Sequence, residues 1–218
     1  MLAVTVTVAA AVLAALALGV YLSWRATRLH RLHVRVDIAR AALEEALRRR
    51  GAAVLDLVAA RVRAADDPRG GDHGQVPAPV EELMAAATAA LAAGGDGRRH
   101  GGPSDEAAGR QARRELAESR LSRALRAAVE PGNGPVGAVA GASSEEVRER
   151  LAAVAAAGRS VQLARTFYND AVSDTRRARR SRPVRLFRLA GTAPLPDYFD
   201  IDDRAPRTPS SMVEPDTL

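Results

Sequence analysis

Hydrophobic residues fill the first stretch of the chain without a break and afterwards return only at helical spacing. Leu2 to Leu22 reads LAVTVTVAAAVLAALALGVYL and holds no charged side chain. About 21 residues at roughly 1.5 Å each span a hydrocarbon core of about 30 Å, so the stretch predicts a membrane-spanning helix. The run exceeds the 7 to 15 residues, roughly, of a cleavable signal's apolar segment, and no basic residue precedes it. From Trp24 to about Ala64 the pattern becomes amphipathic. Leu29, Leu32, Val36, Ala39 and Leu43 step by three and four, and Leu47, Val54, Leu57 and Val58 continue the stripe with one slip near Gly51. This predicts a long helix continuous with the anchor or hinged to it.

Asp66, Asp67, Pro68, Gly70 and Gly71 end that pattern, and a polar linker runs to Pro79. Val80 to Ala93 predicts a shorter helix with Val80, Leu83, Met84, Ala87 and Leu91 on one face, stopped by the Gly-rich stretch from Gly94 to Pro103. Ser104 is a good N-cap, and Asp105 and Glu106 follow in the first turn, where negative charge suits the helix dipole. The helix so opened is expected to reach Val129 with Leu116, Ala117, Leu121, Leu125 and Ala128 inward. Glu130 to Ala142 is a Gly-Pro-Asn loop. Ser143 and Glu146 then form a capping box for a helix whose stripe is Val147, Leu151, Val154, Val161, Ala164, Tyr168 and Val172. It is expected to stop near Arg180, because Pro183 lacks a donor and restricts its predecessor. A short helical turn from Val184 to Leu189 follows, and from Asp200 onward the composition reads as a disordered tail.

No window alternates with period two over a useful length. The fold class expected is all-α: an N-terminal transmembrane helix followed by an up-and-down four-helix bundle with long first and last helices. The corresponding division is an anchor over 1–23, a helical body over 24–190 and an extended or disordered tail over 191–218.

Composition removes several chemistries. The chain has no Cys, which excludes disulfide scaffolds, thiolate nucleophiles and zinc-thiolate sites. Every one of its 32 basic Lys+Arg residues is Arg, and Ala and Gly are abundant, a pattern of coding bias more than of chemistry. Aromatic residues make up 3% of the chain, and Phe167, Tyr168, Phe187, Tyr198 and Phe199 all fall in the last quarter, so the core between Arg25 and Thr166 must be aliphatic.

The remaining two aromatics, Tyr21 and Trp24, stand at the end of the apolar run, where amphipathic rings favour the headgroup layer. Arg25, Arg28, Arg31 and Arg35 follow three or four residues apart and share one helix face. These six are expected at the membrane interface, and the positive-inside rule puts the body in the cytoplasm. A second basic cluster holds Arg176, Arg177, Arg179, Arg180, Arg182, Arg185 and Arg188. No acid interrupts it, and it exceeds by itself the formal net charge of +6. If the last helix returns to the bilayer, the two basic groups meet there, each Arg contributing about 1 kcal/mol of attraction to an anionic leaflet. The alternatives are a solvated face and a nucleic-acid surface. The second is disfavoured because stacking aromatics are missing apart from Phe187.

Catalytic constellations are not found. His30 and His33 lie three apart, but a di-iron bundle site needs Glu-x-x-His pairs on two helices. His73 and His100 fall in Gly-rich loops. GGDG at Gly94–Gly97 and PGNG at Pro131–Gly134 lack the Lys and Ser/Thr that follow a phosphate loop, and no Ser occupies a Gly-x-Ser-x-Gly elbow. No catalytic residue, cofactor or metal is therefore assigned, and the chain is expected not to be an enzyme. A competing reading places a ligand or catalytic site among Arg165, Tyr168, Asn169 and Asp170, with polar bracing within the helix as the plainer account. Tyr168 lies on the apolar stripe, so its hydroxyl needs a partner if buried.

Four segments, spread over most of the chain from the anchor to Phe199, resemble the LemA family. Arg28 to Ala60 is similar to the family's first cytosolic helix, with Arg49 and Arg50 ahead of Val54 and Leu55 at the place of its Arg pair. LARTFYNDAV, Leu163 to Val172, looks like the family's most recognisable stretch, here Arg165, Tyr168, Asn169, Asp170, Ala171 and Val172. LFRLAG at Leu186–Gly191 and PDYF at Pro196–Phe199 are similar to its closing basic-aromatic segment. Two places depart from the pattern: the loop around Pro131 is Gly-rich in place of a Tyr-Pro turn, and Arg182 stands before Pro183 in place of an aromatic. The resemblance implies a membrane-anchored helical protein of unsettled molecular role, some members of the family being tied to the organisation of bacterial internal membranes, and no known enzyme activity. The anchor, the long stripes and the missing catalytic constellation lead to the expectation of a single-pass scaffold or adaptor at a bacterial membrane surface, its partners the lipid bilayer and a protein partner or a second copy.

Overall fold

The computed structural model describes residues 1–65, 78–95, 104–129, 145–187 and 195–202. Among the described residues there are five helices, α1 (Leu2–Ala65), α2 (Ala78–Gly95), α3 (Ser104–Val129), α4 (Glu145–Arg180) and α5 (Arg182–Leu186), and no strand. The all-α helical bundle expected from the pattern is what the chain builds. The capping Ser143, the loop from Glu130 to Ala142 and the polar linker before Ala78 lie outside the described residues. The described residues divide into two compact units, Met1–Ala41 with Phe167–Tyr198 and Ala42–Thr166 with Phe199 onward.

α1 is a single uninterrupted helix of 64 residues, with no hinge where the apolar run meets the collar. Of the predicted stripe, Leu29, Val36, Leu43, Leu47, Val54, Leu57 and Val58 are buried and Leu32 and Ala39 half-buried, and Ala46 and Ala60 are buried in addition. The slip expected near Gly51 does not occur. Arg50, three residues after Leu47 and four before Val54, keeps the register and is buried at 4% exposure. A cation on the apolar stripe had disguised a regular helix face.

In the second unit the core joins Val54, Leu57, Val58 and Ala60 of α1 to Val80, Leu83, Ala87 and Ala90 of α2. Leu121, Ala124, Leu125, Ala128 and Val129 of α3 and Val147 and Val154 of α4 complete it. It is aliphatic throughout, as the placement of the aromatics required. Its Ala positions let helix axes approach closely, which replaces ring area by many short-range contacts. Arg63 pairs with Glu146 at 2.6 Å and Asp56 with Arg150 at 3.9 Å, so α1 and α4 run antiparallel in this unit. Such exposed pairs record direction more than they add stability.

Two inward assignments are corrected. Leu116 is 49% exposed and Met84 is 48% exposed. On α2 the inward ladder is Val80, Leu83, Ala87 and Ala90, and Met84 stands one residue, about 100° of helix turn, from Leu83. On α3 the inward position a turn before Leu121 and Ser122 is taken by Glu118, the acid that meets Arg50.

Gly51 sits mid-helix because α2 is close. A Cβ there would stand 2.9 Å from both Cγ and Cδ2 of Leu91. Gly51→Val is expected to destabilise the fold by about 1–3 kcal/mol through overpacking. Adding Leu91→Ala should recover part of that loss in urea denaturation. Equal costs with and without Leu91→Ala would contradict the contact.

In the first unit Leu29 and Val36 of α1, Tyr168, Ala171, Val172 and Thr175 of α4, and Val184 of α5 are buried. Thr175 has no exposed surface and satisfies its hydroxyl on the Ala171 carbonyl at 2.9 Å. The apolar run before this core stays uncovered, with Leu13 67% and Val20 71% exposed. Its most apolar window has a mean hydropathy of 2.2 and is 0% buried, so α1 includes a segment long and apolar enough to cross a membrane.

Candidate functional site

The collar residues sit together at the end of the apolar run. The Arg25 guanidinium lies 5.4 Å from the Tyr21 ring and 6.0 Å from the Trp24 ring, and its Nε donates to the Tyr21 hydroxyl at 3.0 Å. Arg28 covers Trp24 at 5.9 Å. Each ring thus holds a cation on its face, an arrangement suited to a headgroup layer, where one side is apolar and the other wet. Arg31 is exposed, and Arg35 forms an ion pair with Asp174 of α4 at 3.2 Å. His30 is exposed, while Nδ1 of His33 lies 2.9 Å from the Leu29 carbonyl. No group of three or more His, Asp or Glu that could hold a metal occurs among the described residues. His73, His100 and the Pro131–Gly134 turn lie outside them.

In each unit, side chains hold one part of the extended chain: 195–198 in the first and 199–202 in the second. In the first unit the Tyr168 hydroxyl donates to the Asp197 carbonyl at 2.9 Å, which satisfies the buried phenol. Arg176 donates through Nε to the Pro196 carbonyl at 2.9 Å and through Nη2 to Asp197 Oδ1 at 2.8 Å, and its guanidinium stacks 5.1 Å from the Tyr198 ring. In the second unit Phe199 and Ile201 are both 5% exposed. They alternate as an extended backbone requires, one face in and one face out. Asp200 N–H donates to Glu115 at 3.3 Å, and Asp202 N–H to Ser119 Oγ at 3.2 Å. Arg126 meets both Asp202 carboxylate oxygens, at 3.1 and 2.5 Å. Arg165 lies 3.7 Å from Asp200 Oδ1 and 3.5 Å from the Ile201 carbonyl.

The expectation of a disordered tail from Asp200 is thereby corrected for Asp200, Ile201 and Asp202, which are packed and hydrogen-bonded. The prolines, acids and Ser-Thr residues from Asp200 onward make the stretch look solvated. The period-two pair Phe199 and Ile201 was the sequence feature that could have identified it. Of the motif residues, Tyr168 holds the first part and Arg165 the second, Asn169 is half-buried and Asp170 is exposed. Tyr168→Phe is expected to cost about 1 kcal/mol, the net worth of one hydrogen bond. It should raise amide exchange at Asp197 and Tyr198 with little change elsewhere, and unchanged exchange there would show that the hydroxyl does not anchor these residues.

Sequence reasoning missed the buried pair of Arg50 and Glu118. Arg50 Nη2 meets Glu118 Oε2 at 2.6 Å, Arg50 Nη1 donates to Ser122 Oγ at 3.1 Å, and Ser122 Oγ donates to the Glu118 carbonyl at 3.1 Å. The clue was a charged residue on each of two apolar stripes. A different cation, Arg61, borders a small cleft of about 20 Å³ with Leu57, Val58, Val80 and Leu83. Burial lowers its pKa from the ordinary Arg value, and a guanidinium stays charged nonetheless.

The second basic cluster occupies the end of α4 and the start of α5. Arg177, Arg180, Arg182 and Arg185 are exposed, Arg176 and Arg179 half-buried, and Arg188 lies outside the described residues. Ser173, Arg176, Arg177, Arg180 and Tyr198 line an open depression of about 320 Å³. Compared with family models, curated proteins and solved structures, the chain matches none of them.

Proposed function

We propose that this is a single-pass membrane protein of the LemA type whose helical body serves as a scaffold or adaptor at a bacterial membrane surface. The observation that carries the reading is the continuity of α1. One unbroken helix leads from an uncovered apolar run, through a collar of Tyr21, Trp24 and arginines, into the packed core. A soluble protein would expose this run to water at a cost of about 25 cal/mol per Å² of apolar surface, and a bilayer removes that cost. The same compact unit holds the apolar run, the collar and the basic end of α4, and Arg35 of the collar pairs with Asp174, two residues before Arg176. That grouping supports a body held against anionic lipid by both basic groups.

The chain has no Cys, so one introduced at exposed Ala152 gives a clean topology probe. The Ala152→Cys protein is expected to stay with membranes in alkaline carbonate. It should react with an impermeant maleimide in inverted vesicles but not in intact cells. Labelling in intact cells would overturn the cytoplasmic placement, and release by carbonate would overturn the anchor. In-cell crosslinking that captured neither a partner nor a second copy would count against the scaffold role.

A further inference from the structure

The depression at the end of α4 has a composition that the scaffold reading does not require. Ser173, Arg176, Arg177 and Arg180 fall at positions i, i+3, i+4 and i+7 and so share one helix face. Tyr198 supplies the facing wall, held by the Arg176 contacts to Pro196 and Asp197.

The charges there do not balance. Arg176 is neutralised by Asp197 at 2.8 Å. Arg177 and Arg180 have no ion-pair or hydrogen-bond partner among the described residues, and neither does the Ser173 hydroxyl. Like charges three and four residues apart on a helix repel. The negative end of the α4 dipole offsets part of that repulsion but supplies only about half an elementary charge. Two uncompensated guanidiniums remain beside a hydroxyl and an aromatic face. Arginine forks bind phosphate oxygens bidentately, and a phosphomonoester carries close to two negative charges at neutral pH. The volume, about 320 Å³, lies at the lower end of the roughly 300–1,000 Å³ range of small-molecule sites and leaves room for a small organic group against Tyr198.

We infer that the depression formed by Ser173, Arg176, Arg177, Arg180 and Tyr198 is a binding site for a phosphomonoester, supplied either by a lipid headgroup or by a soluble metabolite. Arg177 and Arg180 take the phosphate, Ser173 donates a further hydrogen bond, and Arg176 holds the Tyr198 wall in place. The inference uses the same basic face as the membrane reading but does not require α1 to cross a bilayer.

The test uses the full-length protein in phosphatidylcholine nanodiscs. Calorimetry with glycerol 3-phosphate probes the soluble source. Native mass spectrometry of phosphatidic acid retained from mixed discs, compared with phosphatidylglycerol, probes the lipid source. Saturable binding is expected in at least one arm, with phosphatidic acid retained over phosphatidylglycerol if the source is lipid. Arg177→Gln with Arg180→Gln should weaken it tenfold or more, while Arg182→Gln with Arg185→Gln, which removes the same charge from the same basic cluster outside the depression, weakens it threefold or less. All four positions are exposed, and circular dichroism of both variants checks that they fold alike. Binding in neither arm, or equal weakening by the two double variants, would overturn the site and indicate diffuse charge only. Failure here leaves carbonate extraction of the parent protein unaffected, so the two readings fail separately.

Discussion

Glu118→Ala is expected to destabilise the protein by about 3–5 kcal/mol, the largest effect of any single truncation at a polar position. Arg50 and Glu118 are 4% and 2% exposed, and removing the carboxylate leaves a guanidinium in an aliphatic core. Ser122 cannot replace the lost charge, since one hydroxyl already shared with the Glu118 carbonyl is its only side-chain group. For a chain of this size each kcal/mol lowers Tm by about 2–4 °C, so a fall of roughly 6–20 °C is anticipated in thermal denaturation. The informative companion is Arg50→Met with Glu118→Met. Burying two charges costs several kcal/mol of desolvation each, and a well-packed apolar pair avoids that cost, so the double variant should be near the parent stability or above it. A double variant as damaged as Glu118→Ala would show that the pair stabilises the fold on balance. A loss below about 1 kcal/mol for Glu118→Ala would show that the pair is solvated.

The second large effect concerns where the protein resides. Val12 and Leu13 lie in the middle of the apolar run and are 53% and 67% exposed, with no part in the packed core. Val12→Asp with Leu13→Asp introduces two carboxylates at the centre of the span, each costing about 2.5–3.5 kcal/mol on translocon scales. The sum, roughly 5–7 kcal/mol, shifts insertion by about four decades or more. The variant should move from the membrane pellet to the soluble fraction while its helical body keeps the parent urea midpoint. Continued membrane integration would mean that the apolar run does not span, and a changed midpoint would mean that it packs on the body.

Legibility in the sequence followed the strength of periodicity. The stripes of α1 and α4 repeat over many turns, so most of their buried faces were readable: Leu29, Val36, Leu43, Leu47, Val54, Leu57 and Val58 on α1 and Val147, Val154, Val161, Tyr168 and Val172 on α4, but not Ala46, Arg50, Ala171 or Thr175. Tyr168 was readable too, because an aromatic on an apolar stripe needs a partner for its hydroxyl, although the partner, the Asp197 carbonyl, was not. Leu116 and Met84 were misplaced because hydrophobicity alone cannot separate two faces that both carry apolar residues. The stripe shows a slip near Gly51 because Arg50, the residue that keeps its register, is charged, and its buried counterion Glu118 is supplied by the fold. Asp200 to Asp202 were read as tail because the acids that fix them, to Arg126 and Arg165, are the residues that make a segment look soluble.

The amino-acid sequence by itself determined the helical class, the apolar run with its aromatic and arginine collar, an aliphatic core and the ends of most helices. These depend on local spacing, on caps and breakers and on side-chain volume, all of which act within a few turns. Only the tertiary structure decided that Arg50 meets Glu118, that Arg35 meets Asp174, and that Tyr198 closes one side of the basic face of α4. Each joins residues tens of positions or more apart through a directional contact. Whether a charge is a solvated surface group, a buried pair or part of a binding site depends on what the fold brings opposite it.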